Sequence, residues 1–252
     1  MNQVVVLDND WKSWKKTVQE LGEFDVALDL QGLLKSALPV HFAQAQRKLG
    51  YHWQREGARL FTQPVMPDPS SIHVVDQYVD VARAAGGATI TDFGLDPTSE
   101  ADHSVNNLIS EFDSTKKLVV CHAGAGWATK RWPAEHFAAL ADSLAERATV
   151  AFIGTNADES AVTEVLSHCK TRPISLIGKT KVNELIALLK KADLHVAGDT
   201  GSIHIAAGLG KPCLGLYTLT KPERSCPYGQ LKNCQSIDPD AVIKQAHHLL
   251  DQ

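Results

Sequence analysis

Short apolar runs alternate with amphipathic stretches along nearly the whole chain, and the alternation is most regular in its second half. Apolar runs at 118–121, 149–153, 174–176, 194–196 and 213–217 are bounded by turn residues. Between them, at 134–146, 158–169, 182–191 and 202–209, apolar residues recur every three or four positions. The first pattern predicts buried strands and the second predicts helices. Strand and helix in strict succession imply a parallel sheet with helices on both faces. A last helix over 238–250 carries Asp238 as its cap and Pro239 in its first turn.

The first half is less regular. It predicts strands at 4–7, 24–30 and 48–51 and helices at 11–21, 33–46, 72–85 and 99–111. The stretch 53–70 reads as irregular, punctuated by Pro64, Pro67 and Pro69. The stretch 86–99 reads as a strand with turns. The pattern resets at 114–117, which predicts two domains, 1–115 and 116–252. A strand opens the first domain with no earlier strand, glycine-rich turn or helix, so the domain reads as shortened at its N-terminus. A lost first strand would leave an exposed sheet edge that favours self-association.

Composition narrows the classes. The chain has 252 residues, 44% hydrophobic and 21% charged, with a net charge of −4. That supports two cores and argues against a general nucleic-acid binder, which would carry a basic excess. The five cysteines are scattered with no CxxC, so neither a zinc knuckle nor a disulfide framework is expected, and a cytoplasmic setting fits. The start lacks the basic flank and apolar core of a signal peptide, and no apolar run is long enough for a membrane span. Neither half has GxGxxG with an acid about 20 residues on, so a dehydrogenase is not expected.

The chemistry gathers at strand-to-helix turns. Gly198-Asp199-Thr200-Gly201-Ser202 follows an apolar strand and opens a small-residue helix. This places it on the carboxyl edge of a parallel sheet, where open α/β sheets bind ligands. Backbone N–H groups at the helix start suit a phosphate, Thr200 and Ser202 add hydroxyls, and His204 follows one turn later. Asp199 also suits a plain N-cap. His122-Ala123-Gly124-Ala125-Gly126 lets backbone approach a ligand, and Thr129 and Lys130 can meet phosphate oxygens. Trp132-Pro133 then predicts a buried anchor holding that loop. Asp29-Leu30-Gln31-Gly32 opens another turn, whose Gln31, Lys35 and Ser36 could bind an anionic sugar or merely cap and solvate a helix. Asp158 or Glu159 could accept from ribose hydroxyls or serve as first-turn acids, and Thr218 and Thr220 lie at the end of the last strand.

Together these segments resemble glycosyltransferase family 9, the ADP-heptose:lipopolysaccharide heptosyltransferases, and within it heptosyltransferase I. The resemblance runs through Asp29–Ser36, His73-Val74-Val75-Asp76-Gln77-Tyr78, Lys130-Arg131-Trp132-Pro133, Gly178–Leu185, Gly198–His204 and Gly210-Lys211-Pro212. It implies a GT-B fold, two Rossmann-like domains facing a cleft, the first incomplete at its N-terminus. It implies metal-independent, inverting transfer of heptose from ADP-heptose to a Kdo-lipid A type acceptor, with no further cofactor. Thr129 and Lys130 would contact the diphosphate. Asp199, Thr200, Gly201 and His204 would hold the donor, and Gln31, Lys35 and Ser36 the acceptor. The protein would be cytoplasmic, in peripheral contact with the inner membrane. Two departures stand out. The family's base, an Asp in a Gly-Asp turn after the very first strand, has no counterpart here, so no catalytic residue is assigned. An acidic-Arg-Tyr pattern reads Asp76-Gln77-Tyr78. A nucleotide-sugar-binding homologue or fragment without transfer activity, and a transferase for another nucleotide-sugar, stay open.

Overall fold

The structure, a computed structural model, describes residues 3–8, 10–89, 92–124, 131–218, 221–234 and 236–252. The chain divides into two compact units, Met1–Thr91 and Asp92–Gln252.

In the first unit, β1 (Glu23–Asp29), β2 (Gln44–Tyr51) and β3 (Gln63–Val65) form a parallel sheet in the order β1-β2-β3. Helices α1 (Trp11–Gln19), α2 (Leu34–Phe42) and α3 (Val74–Ala84) accompany it. Three expectations are corrected here. Residues 4–7 form no strand: they pair with none of the described strands, and Val4 and Val6 are exposed at 76% and 87%. The helix expected over 33–46 stops at Phe42, because Gln44 and Ala45 pair with Glu23 and Phe24 and tertiary pairing outweighs local helical pattern. The irregular stretch hides β3, whose Pro64 is tolerated because β3 lies at the sheet edge.

The second unit is built on β4 (Lys117–His122), β5 (Ala148–Phe152), β6 (Ile174–Ser175), β7 (Leu194–Ala197) and β8 (Cys213–Gly215). All pair in parallel, in the order β6-β5-β4-β7-β8. Its helices are α4 (Ser99–Leu108), α5 (Ala134–Leu144), α6 (Glu159–His168), α7 (Val182–Lys191), α8 (Gly201–Gly208), α9 (Pro222–Ser225) and α10 (Pro239–Leu250). One core holds Phe137, Leu140, Phe152, Val165 and Leu249, joining α5, α6 and α10 to one sheet face. The other holds Val105, Val120, Leu188, Ile203 and Ala206, joining α4, α7 and α8 to the opposite face. This is the doubly wound Rossmann-like arrangement, and its strand order reverses between β4 and β7.

The division between units lies at Thr91/Asp92 rather than at 115/116. The reason is α4, whose Ala101 and Val105 are buried in the core that contains Leu188 and whose Ser104 Oγ donates to Glu184 Oε1 at 2.8 Å. The reset at 114–117 marks the entry to β4. No strand forms over the described residues of 86–99. Among the described residues no helix is long and apolar enough to cross a membrane.

Candidate functional site

The reversal between β4 and β7 places the ends of these two strands beside each other, with His122 in register with Ala197. The turn after β7 carries Asp199 and Thr200 into α8. Thr200 is the N-cap residue, with extended backbone and no side-chain capping bond. The plain N-cap role considered for Asp199 is therefore not the one observed. Its carboxylate lies 3.7 Å from His204 Nε2, so the turn and the first helical turn are paired. Gly201 is the first helical residue. A Cβ built there meets no heavy atom within 4 Å. The protein's own packing therefore does not require glycine at this position, and the space it opens is available to a ligand.

Behind this turn lies a buried polar relay. His195, fully buried in β7, presents Nδ1 to the Val120 carbonyl at 2.8 Å and Nε2 to Ser202 Oγ at 3.0 Å. Burial holds the imidazole neutral, with its pKa pushed down to about 3, and the nearby His122 adds to the shift. A carbonyl can only accept, so the single proton of His195 is on Nδ1 and Nε2 accepts from the Ser202 hydroxyl. Ser202 Oγ also lies 3.0 Å from His122 Nδ1 and 3.0 Å from Thr200 Oγ1. Its one proton being committed, it accepts from both. Ser202 is 4% exposed. The hydroxyls of Ser202 and Thr200 therefore spend their protons inward, which corrects the expectation that they donate to a phosphate. What the turn offers outward is backbone N–H at the start of α8.

The turn after β5 closes the opposite side of His122. Asp158 Oδ2 accepts from Thr155 N–H at 2.9 Å and Thr155 Oγ1–H at 3.0 Å, and lies 3.8 Å from His122 Nε2. A Cβ on Gly124 would overlap the Asp158 carboxylate, so this glycine is needed for close packing. Of the two acids considered for ribose contacts, Asp158 is committed to its turn and Glu159 is exposed. The expected anchor is present: Trp132 is 4% exposed, donates from Nε1 to the Ile237 carbonyl at 2.8 Å and packs edge-on against Phe137. Thr129 and Lys130, the expected diphosphate contacts, lie outside the described residues, as does Thr220. At the end of β8, burial raises the Tyr217 phenol, reinforced by Asp199, and its hydroxyl donates to the Ser225 carbonyl at 2.7 Å.

In the first unit the turn after β1 is held by Asp29. Buried at 2% exposure, it accepts through Oδ1 from Gln31 and Gly32 N–H, both at 3.0 Å. Gly32 has φ +72°, and a Cβ there would lie 2.5 Å from the Trp53 carbonyl oxygen. This fixes a left-handed turn that leaves Gln31 and Lys35 exposed. Ser36 differs: its hydroxyl donates to the Leu33 carbonyl at 2.9 Å and accepts from Leu33 N–H at 3.1 Å. It holds the helix start. Gln77 also serves the fold here, donating to the Ser71 carbonyl at 2.9 Å and accepting from Tyr51 OH at 2.6 Å.

Sequence reasoning missed the relay. The signal was present in His195, a histidine inside an otherwise apolar strand, which must find buried partners.

The family model of glycosyltransferase family 9 (heptosyltransferase) matches residues 12–248. The lipopolysaccharide core heptosyltransferase OpsX of Haemophilus influenzae is 29% identical over 244 residues, covering 93% of this chain and 69% of that protein. Lipopolysaccharide heptosyltransferase 1 of Pseudomonas aeruginosa is 28% identical, covering 88% of this chain and 62% of its own length. Among solved structures, a family 9 glycosyl transferase from Veillonella parvula superposes with a TM-score of 0.80 at 22% identity, over 95% of this chain and 78% of that one. The ADP-heptose lps heptosyltransferase II of E. coli gives 0.74 at 23%, over 96% and 80%. The fold is thus of the GT-B type, and the chain spans about two thirds of the length of the two heptosyltransferases above from H. influenzae and P. aeruginosa. With the match extending over both units, the chain belongs to glycosyltransferase family 9.

Proposed function

We propose that this chain acts in lipopolysaccharide inner-core synthesis, transferring heptose from ADP-heptose to a Kdo-lipid A type acceptor. The observation that carries this reading is the Asp199–His204 turn, placed where the strand order reverses, with open space over Gly201. The relatives named heptosyltransferases and an E. coli heptosyltransferase solved with ADP support ADP-heptose as the donor in this reading. In this reading Asp199, Thr200, Gly201 and His204 hold the donor, and Thr129 and Lys130 contact the diphosphate. Gln31 and Lys35 meet the acidic acceptor while Ser36 holds their turn in place.

The acceptor hydroxyl attacks the anomeric carbon as the bond to the diphosphate breaks, with inversion, and its proton passes to a base that is not assigned here. Lys130 and the α8 N-terminus stabilise the departing diphosphate, so the reaction runs without a metal or further cofactor. The protein works in the cytoplasm, against the inner face of the inner membrane where the lipid acceptor lies.

Calorimetric titration with ADP, with UDP as control, tests the reading. ADP should bind selectively. Lys130→Ala should weaken it about 10- to 100-fold, the worth of one charge-assisted phosphate contact, and Asp199→Ala should weaken it too. Failure of both nucleotides to bind overturns the reading, and preference for UDP would point to another nucleotide-sugar. The chain covers 69% and 62% of the two relatives, so transfer is tested separately. Product from ADP-heptose shows a transferase; binding without product shows a donor-binding homologue.

A further inference from the structure

The relay behind the α8 turn has a consequence for charge. His122 is held with its proton on Nδ1, because Ser202 Oγ can only accept from it at 3.0 Å. Its Nε2 is left bare and points toward Asp158 Oδ2, 3.8 Å away. A lone pair facing a carboxylate is an unfavourable arrangement, and a proton added to Nε2 would turn it into an attractive one without moving either side chain.

We infer that His122 takes up a proton from solvent when a nucleoside diphosphate binds at this edge, giving the occupied site a positive charge that the empty site lacks. The inference rests on the donor-site reading above. Three observations support it. His122 ends β4, beside the β7 turn where the diphosphate would sit. Asp158, from the β5 turn, is the carboxylate that faces the new charge at 3.8 Å, and its contacts to Thr155 need not change. From β7, His195 cannot compete for the proton, since its Nδ1 is committed to the Val120 carbonyl and its Nε2 to Ser202. From α8, the hydroxyl of Ser202 faces His122, with Thr200 Oγ1 bonded to that hydroxyl from the N-cap position.

The balance in the empty site also fits. Burial lowers the His122 pKa below its ordinary value, opposed by Asp158, so the ring is neutral near neutral pH. A ligand carrying negative charge shifts that balance toward imidazolium. Affinity should then weaken as pH rises, by at most about tenfold per pH unit.

The test is calorimetric titration of the whole 252-residue chain with ADP near neutral pH, in HEPES and in Tris, whose ionisation enthalpies differ. An enthalpy difference corresponding to uptake of roughly half to one proton is expected. Equal enthalpies with intact binding overturn this inference and leave the donor-site reading standing. Absence of ADP binding overturns both. His122→Asn keeps an N–H toward Ser202 but cannot take the proton; it should bind ADP more weakly and with no buffer dependence. Uptake that persists in His122→Asn places the proton elsewhere and refutes the inference. His168→Gln, at an exposed position on α6, should retain the uptake.

Discussion

Replacing His195 with asparagine should flatten the acid side of the stability profile. The folded chain holds this imidazole neutral down to about 3, whereas an unfolded histidine titrates near 6.5. Between those values the unfolded chain binds a proton that the folded chain refuses. Stability is therefore fully present above about pH 6.5 and falls as pH drops, by about 1.4 kcal/mol per unit. From about pH 6.5 to about pH 5 the loss from this one residue is roughly 2 kcal/mol. Asparagine can still donate to the Val120 carbonyl but offers Ser202 no matching acceptor, so the variant should cost about 1–3 kcal/mol at neutral pH. The discriminating quantity is the slope. Urea unfolding of both proteins at several pH values, with equal m-values, should show the stability difference shrinking by about 2 kcal/mol toward pH 5. Parallel profiles would refute the assignment of His195 as a neutral buried ring.

Gly201→Ala should fold normally, because its Cβ meets nothing within 4 Å. Thermal stability should stay level or rise by up to about 1 kcal/mol, while ADP affinity falls about tenfold or more as the methyl intrudes on a phosphate contact. Unchanged affinity would mean that no ligand uses that space. Gly32→Ala should do the reverse. Its φ of +72° and the 2.5 Å approach to the Trp53 carbonyl should cost the first unit about 1–3 kcal/mol in a denaturant melt. ADP binding should be untouched; a loss of ADP affinity would contradict the placement of the donor in the second unit.

Where one period governs a segment, the sequence was legible. Val182–Lys191 is a helix at the bounds its apolar spacing predicts, and the strands of the second unit lie within two residues of expectation. The Asp238 cap is present, accepting from Ala241 N–H at 3.0 Å. What escaped depends on partners distant in sequence. Residues 44–46 look helical until β1 is available to pair with them. The apolar face of α4 does not state which unit it will cover, and Leu188 and Glu184 decide it. At the site, the turn bearing Asp199 and Gly201 could be found because backbone geometry is written locally. The roles of its side chains could not. Ser202 and Ser36 look like ligand donors in isolation, and each is claimed by a neighbour, His195 in one case and the Leu33 backbone in the other.

The single bond from Trp132 to the Ile237 carbonyl spans 105 residues and joins the exit of the glycine-rich loop to the entrance of α10. Trp132, Phe137 and Leu140 share one core with Val242, Ala246 and Leu249. Detachment of α10 would strip this core and release the indole together. In hydrogen-exchange terms, the amides of α5 and α10 should open as one cooperative unit, and Trp132 should not leave its place without drawing on that unit's free energy. A ligand that tightens the Trp132 anchor should accordingly slow exchange in a helix more than a hundred residues away.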